Sequence, residues 1–149
     1  GLEAVCLRFF NVYGIGQQVS GGYPAVIPQW KYCIENEKQA VIFGNGLQTR
    51  DFIHIDDVIS FYQHLIKNKN KIPNKTNFKL GTGIGHNLKQ VSSIIESVTN
   101  KKTNINWGGK EYRQSDVMYA VANLHEIKDK LTWKPKISLT EGIKKTINN

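Results

Sequence analysis

Thr49-Arg50-Asp51-Phe52-Ile53-His54-Ile55-Asp56-Asp57 is the stretch on which the fold turns. Residues 50–55 alternate in strand fashion. Asp56 then stands where it can cap a helix whose apolar face is Val58, Phe61, Tyr62, Leu65 and Ile66. A strand that runs straight into an amphipathic helix is an α/β unit, and the rest of the chain repeats it. Upstream, residues 40–43 form a short strand closed by the turn Gly44-Asn45-Gly46. Before it, Val26, Ile27, Trp30, Cys33 and Ile34 fall at helical spacing, which predicts a helix from about Pro24 to Asn36, with Pro28 near its first turn. A Gly-rich loop over 14–22 and a strand over 5–10, ending at Asn11, complete the upstream half. Downstream, 67–77 is a polar loop, and the strand 78–80 enters Gly81-Thr82-Gly83-Ile84-Gly85, read as a tight strand-to-helix turn. Asn87 caps a helix carrying Leu88, Val91, Ile94, Ile95 and Val98. Strands over 104–107 and 119–122 follow, then a short helix capped by Asn123 and a last one opened by the capping box Ser138-Leu139-Thr140-Glu141.

Arginine is scarce. Of 20 basic residues only Arg8, Arg50 and Arg113 are Arg. The guanidinium is a planar fork that binds phosphate oxygens bidentately, which an ammonium cannot do. Arg50 and Arg113, far apart in sequence, could close on one diphosphate. The plainer reading is two ion pairs, with Asp51 and Asp116 as partners. The surroundings favour the ligand. Asn11, just past a strand end, offers an amide donor. Ile42-Phe43 offers an aromatic face and open amides for a flat base. Asp116 can accept from ribose hydroxyls.

The net charge is +8, yet the Lys residues are scattered and no aromatic-interleaved basic stripe appears. A solvated surface is expected, with no nucleic-acid partner. Cys6 and Cys33 sit in apolar runs, as buried thiols of a reducing compartment. No stretch approaches the ~20 apolar residues of a membrane span. The opening on Gly1 and a strand suggests a piece of a longer chain.

Other motifs fail on their chemistry. Gly81-Thr82-Gly83-Ile84-Gly85 has His86 where a dinucleotide loop requires its third glycine. His54, His64, His86 and His125 make no metal-ligand pair. Asp56-Asp57 reads as a cap and a complement to the helix dipole.

Several segments together resemble one family. These are Leu7-Arg8-Phe9-Phe10-Asn11-Val12-Tyr13-Gly14, Ala25-Val26-Ile27-Pro28, Val41-Ile42-Phe43-Gly44-Asn45-Gly46, the 49–57 stretch, Leu80-Gly81-Thr82-Gly83, Arg113-Gln114-Ser115-Asp116 and Leu131-Thr132-Trp133-Lys134-Pro135-Lys136. Their order resembles the extended short-chain dehydrogenase/reductases that act on nucleotide sugars, the NAD-dependent epimerase/dehydratase family, and most closely the UDP-hexose 4-epimerases. The resemblance implies an α/β fold: the C-terminal part of a Rossmann-like epimerase, a small mixed substrate-binding domain over 1–149 with the last strands of the main sheet. It implies NAD as cofactor, held by an N-terminal domain absent from this chain, with Phe10 at the nicotinamide end. It places Asn11, Ala25 and Val26 near the substrate, and Val41, Ile42 and Phe43 in the uracil slot. Arg50 and Arg113 would hold the diphosphate, and Asp116 the ribose. A cytoplasmic homodimer is implied for the parent.

The family's catalytic base is the Tyr of Y-x-x-x-K. Four residues after Tyr13, Tyr23, Tyr32, Tyr62, Tyr112 and Tyr119 come Gln17, Ile27, Asn36, Ile66, Asp116 and Asn123. No catalytic residue is therefore assigned, and the chain alone is expected to be inactive. A 4,6-dehydratase shares the scaffold. A non-catalytic nucleotide-sugar-binding module is the alternative of another class.

Overall fold

The computed structural model describes residues 1–19 and 25–148. β1 (Cys6–Phe9) and β2 (Asn11–Tyr13) precede α1 (Val26–Glu35), β3 (Ala40–Phe43) and β4 (Thr49–His54). Next come α2 (Ile55–Lys67), a 3-10 turn (Lys69–Lys71), β5 (Asn77–Leu80), β6 (Gly85–Asn87) and α3 (Leu88–Thr99). β7 (Ile105–Lys110), β8 (Tyr119–Ala120), α4 (His125–Lys130) and α5 (Leu139–Ile147) close the chain. β1 pairs in parallel with β5, and β3 with β7. β4 has β2 and β8 as parallel partners and β6 as an antiparallel one. This is the expected mixed α/β class, built mainly on parallel pairs. Pro24 and part of the Gly-rich loop lie outside the described residues.

β4 organises the interior. Asp51, Phe52, Ile53 and His54 are all buried, not alternately wet and dry. Successive side chains point to opposite faces, and here both faces are covered. Phe52 joins a core with Tyr13, Trp30, Ile42, Val91 and Ile143, built by α1, α3 and α5. Ile53 joins a second core with Phe61, Phe78, Leu80, Ile127 and Trp133, built by α2, α4 and β5. The Phe61 ring meets Phe78 and Trp133 edge-on, at 5.7 and 5.0 Å. Each such pair adds about 0.5–1.5 kcal/mol beyond its burial.

Two of the recognised segments hold each other. Asp57 is buried, and its carboxylate accepts the Lys136 and Ile137 N–H groups at 3.0 Å each. Trp133 Nε1 donates to Ser60 Oγ at 3.2 Å. The Trp133-Lys134-Pro135-Lys136 segment is thus the clamp on α2.

Several local expectations are corrected. The strand over 5–10 splits, because the chain changes partner at Phe10: its N–H bonds Leu80 O at 3.0 Å, and Asn11 then starts β2 opposite Phe52. Asp56 is not the helix cap. α2 begins at Ile55, its N-cap is His54, two residues before Asp56, and His54 Nδ1 accepts the Asp56 N–H at 3.2 Å. Asp56 instead meets Lys145 at 3.0 Å. The glycine segment is no simple turn into α3, since β6 intervenes against β4. Gly85 allows that approach, because a Cβ there would sit 2.6 Å from Thr49 Cγ2. Asn123 acts one residue early: its Oδ1 accepts the His125 N–H at 2.9 Å, while Leu124 is the N-cap of α4. Cys33 is buried but Cys6, on the edge strand β1, is exposed. The boxes Asn87/Gln90 and Ser138/Glu141 form as read. No helix among the described residues is long and apolar enough to cross a membrane.

Candidate functional site

Five of the sequence candidates, Val41, Ile42, Phe43, Arg113 and Asp116, lie on β3 and in the loop 111–118 that follows β7. At the end of β3, Val41 is exposed, Ile42 is buried in the first core and Phe43 is half-buried. Ile42 therefore presents only backbone outward. The β3–β7 register shifts between Val41 and Phe43, so that Phe43 stands opposite Lys110.

Phe43 is the centre of a cationic cluster. The Arg113 guanidinium carbon lies 4.3 Å from its ring centroid, and Lys110 Nζ lies 5.3 Å away. Arg113 itself is exposed. Its main-chain N–H donates to Asp116 Oδ2 at 3.0 Å, and the Asp116 N–H returns to Arg113 O at 2.9 Å. Asp116 thus shapes the turn that presents Arg113 and does not neutralise its side chain. Arg50, on β4, reaches the far end of the same loop: Nη1 donates to Val117 O at 2.5 Å and to Thr49 O at 2.9 Å.

The ion-pair expectation is overturned. Among the described residues, neither guanidinium meets a carboxylate within ion-pairing distance. Asp51 is fully buried and accepts from Thr82 N–H, Thr82 Oγ1, Gly83 N–H and Ala122 N–H at 2.5–3.1 Å. The two cations are left with main-chain and aromatic partners that a stronger anion can displace.

The remaining candidates stand on neighbouring elements. Phe10 is half-buried where the chain passes from β1 to β2, and Asn11 is exposed there, opposite Phe52, two residues along β4 from Arg50. Ala25 is the N-cap of α1 and has no side-chain cap bond; Val26 packs against the first core. Both are held by α1 and not by the 111–118 loop.

The glycine segment cannot seat a dinucleotide phosphate. Its Thr82 and Gly83 amides are spent on the Asp51 carboxylate, and the Ile84 N–H on Thr82 Oγ1 at 3.1 Å. Phe10 is the residue that the sequence reading places toward NAD. No cluster of His, Cys, Asp or Glu among them could hold a metal ion.

Burial sets the titration of nearby groups. It lowers His54 and His86, against the opposing pull of Asp56 and Asp51 respectively. It raises Tyr13, helped by the charge of Asp57. His54 is therefore neutral at pH 7, with Nδ1 as acceptor and a buried Nε2 that finds no partner.

Three contributors escape sequence reasoning: Lys110, Tyr112 and Gln48. Gln48 is buried and its Nε2 donates to Phe43 O at 2.8 Å. Tyr112 is bonded to the 44–48 turn, 67 residues earlier. A contact at that separation leaves no local pattern.

Comparison with known proteins fits this geometry. The profile of the NAD dependent epimerase/dehydratase family matches residues 1–81. CDP-abequose synthase of Salmonella typhimurium is 29% identical over 148 residues, covering 98% of this chain and 48% of its own. A putative UDP-glucose 4-epimerase of Methanocaldococcus jannaschii is 31% identical, covering 99% and 46%. The crystal structure of UDP-glucose 4-epimerase from Thermotoga maritima with UDP-glucose superposes with TM-score 0.84 at 29% identity, over 99% of this chain and 45% of that one. The chain belongs to the NAD-dependent epimerase/dehydratase family. It spans about half the length of the curated relatives it matches.

Proposed function

We propose that residues 1–149 are the nucleotide-sugar-gripping part of an NAD-dependent UDP-hexose 4-epimerase. The observation that carries the reading is the convergence of Phe43, Arg113, Asp116 and Arg50 on one loop, with both guanidiniums free of carboxylates among the described residues. A pyrimidine would lie at the Phe43 shelf, and the two arginines would take its diphosphate. Both curated relatives above are named for pyrimidine diphosphate sugars, one CDP-linked and one UDP-linked. Magnitudes favour the exchange. An exposed cation–π contact is worth about 0.5–1 kcal/mol. A hydrogen bond to a charged group contributes about 1.5–3 kcal/mol. Arg113 therefore leaves the Phe43 ring for a pyrophosphate. Asp116 Oδ2 is committed to the turn, so ribose hydroxyls would be accepted at Oδ1.

Grip at the diphosphate suits an epimerase, because the hexose must turn between two faces while the handle stays fixed. In a 4-epimerase NAD would supply the redox chemistry at C4, and these residues would contribute orientation.

Calorimetric titration with UDP-glucose tests the reading. The wild-type chain binds, and Arg50→Ala weakens binding by about 1.5–3 kcal/mol. Unchanged affinity removes Arg50 from the site. With NAD and UDP-galactose the 149-residue chain alone gives no C4 inversion; turnover would show that the base lies within it.

A further inference from the structure

We infer that Tyr112 is a positioning residue for nucleotide binding, its hydroxyl latching the loop that bears Arg113 to the turn that follows Phe43. This deepens the nucleotide-sugar reading and rests on it. Tyr112 Oη donates to Asn45 Oδ1 at 2.6 Å and accepts the Asn45 N–H at 3.2 Å. Gln48 Oε1 lies 3.4 Å away, but the single hydroxyl proton goes to the shorter bond. Asn45 Oδ1 also accepts the Leu47 N–H at 3.1 Å, so the acceptor is itself held.

The ring is seated as firmly as the hydroxyl. Gly44 has φ +67, and a Cβ there would lie 2.0 Å from two Tyr112 ring atoms. Glycine thus serves both the turn and the close packing of the ring. Along the chain, Tyr112 is fixed to the 44–48 turn while the next residue, Arg113, lies on Phe43, the residue before that turn. At the near end the Gly44 N–H donates to Lys110 O at 2.8 Å, where β7 ends, and the remaining ties, Arg50 to Val117 O and Thr49 N–H to Met118 O, fall at the far end of the loop. Within the loop itself, Tyr112 is therefore the side-chain tie that holds Arg113 beside the base shelf, next to the main-chain bond from Gly44 to Lys110. A ligand that spans both feels the latch, and a ligand that touches only the cations does not.

Tyr112→Phe keeps the ring on Gly44 and deletes the hydroxyl. UDP and inorganic pyrophosphate are titrated by calorimetry into the wild type and this variant, and the Phe43 ring protons are followed by NMR. UDP binding weakens about three- to tenfold, the value of one neutral hydrogen bond. Pyrophosphate binding changes by less than about twofold and the Phe43 resonances shift. Asn45→Ala reproduces the pattern. Unchanged UDP affinity overturns the inference, and so does an equal loss for both ligands, which marks general loosening. A wild-type chain that binds no UDP sinks the proposed function instead. The Phe43 resonances then still decide the latch, which unchanged shifts in Tyr112→Phe would refute.

Discussion

The carboxylate of Asp51 gathers three backbone amides and a hydroxyl from segments 31 and 71 residues away, and no water reaches it. Arg50, its neighbour, does something unrelated. Adjacent strand residues point to opposite faces, so the two cannot pair. That rule was available from sequence and argues against the ion-pair reading of Arg50-Asp51. What was not available is the identity of the partners, because Thr82, Gly83 and Ala122 are brought in by the fold. Arg50 and Arg113 stood out by residue type, since only three of 20 basic residues are Arg, while Phe43 and Asp116 were picked out as fitting company for them and by the family resemblance. Tyr112 did not, because a tyrosine acquires meaning only from what it touches. Asp51→Ala strands three inward-facing amides at about 1–3 kcal/mol each. Urea unfolding of this variant is expected to show a loss of at least about 3 kcal/mol. A loss below about 0.5 kcal/mol would show that the amides find water or new acceptors.

At the scale of elements, helices were more legible than strands. Asn87 with Gln90, and Ser138 with Glu141, sit three residues apart and close their own boxes, so the signal is local. β6 and β8 span three and two residues and exist because β4 accepts them. Nothing within such short segments announces a strand. Two elements carry an acid-sensitive fastening. α2 is capped by neutral His54 Nδ1, whose protonation removes the acceptor for the Asp56 N–H. Glu96, on α3, accepts from Thr103 Oγ1 and the Thr103 N–H and pairs with Lys102; these bonds pull it from about 4.5 down to about 2. Both groups have folded-state values below their unfolded ones. Each contribution is therefore complete above the unfolded value and is lost as pH falls. His54 and His86 act first, below about pH 6.5. Glu96 acts between about 4.5 and about 2. The urea midpoint should fall in two stages on acidification, and Glu96→Gln should flatten the lower one. A midpoint independent of pH from 7 to 4 would contradict the histidine part.

For the whole molecule, the α/β class was readable because strand and helix periods alternate along the chain. The division into two cores was not, because it depends on both faces of β4 being covered. The same holds for the site. Its cations and its aromatic shelf were visible as types. Their assembly came from the β3–β7 pairing and from loop 111–118, which join segments some 67 residues apart. The central claim is that Arg50 and Arg113 act together on one diphosphate. The chain has only Arg8, Arg50 and Arg113, so a ¹⁵N-labelled sample shows three guanidinium Nε–Hε resonances, and Arg8 serves as an internal control. On titration with UDP-glucose, the resonances of Arg50 and Arg113 should move together along one binding isotherm while that of Arg8 stays. Movement of neither, or of one without the other, would contradict it.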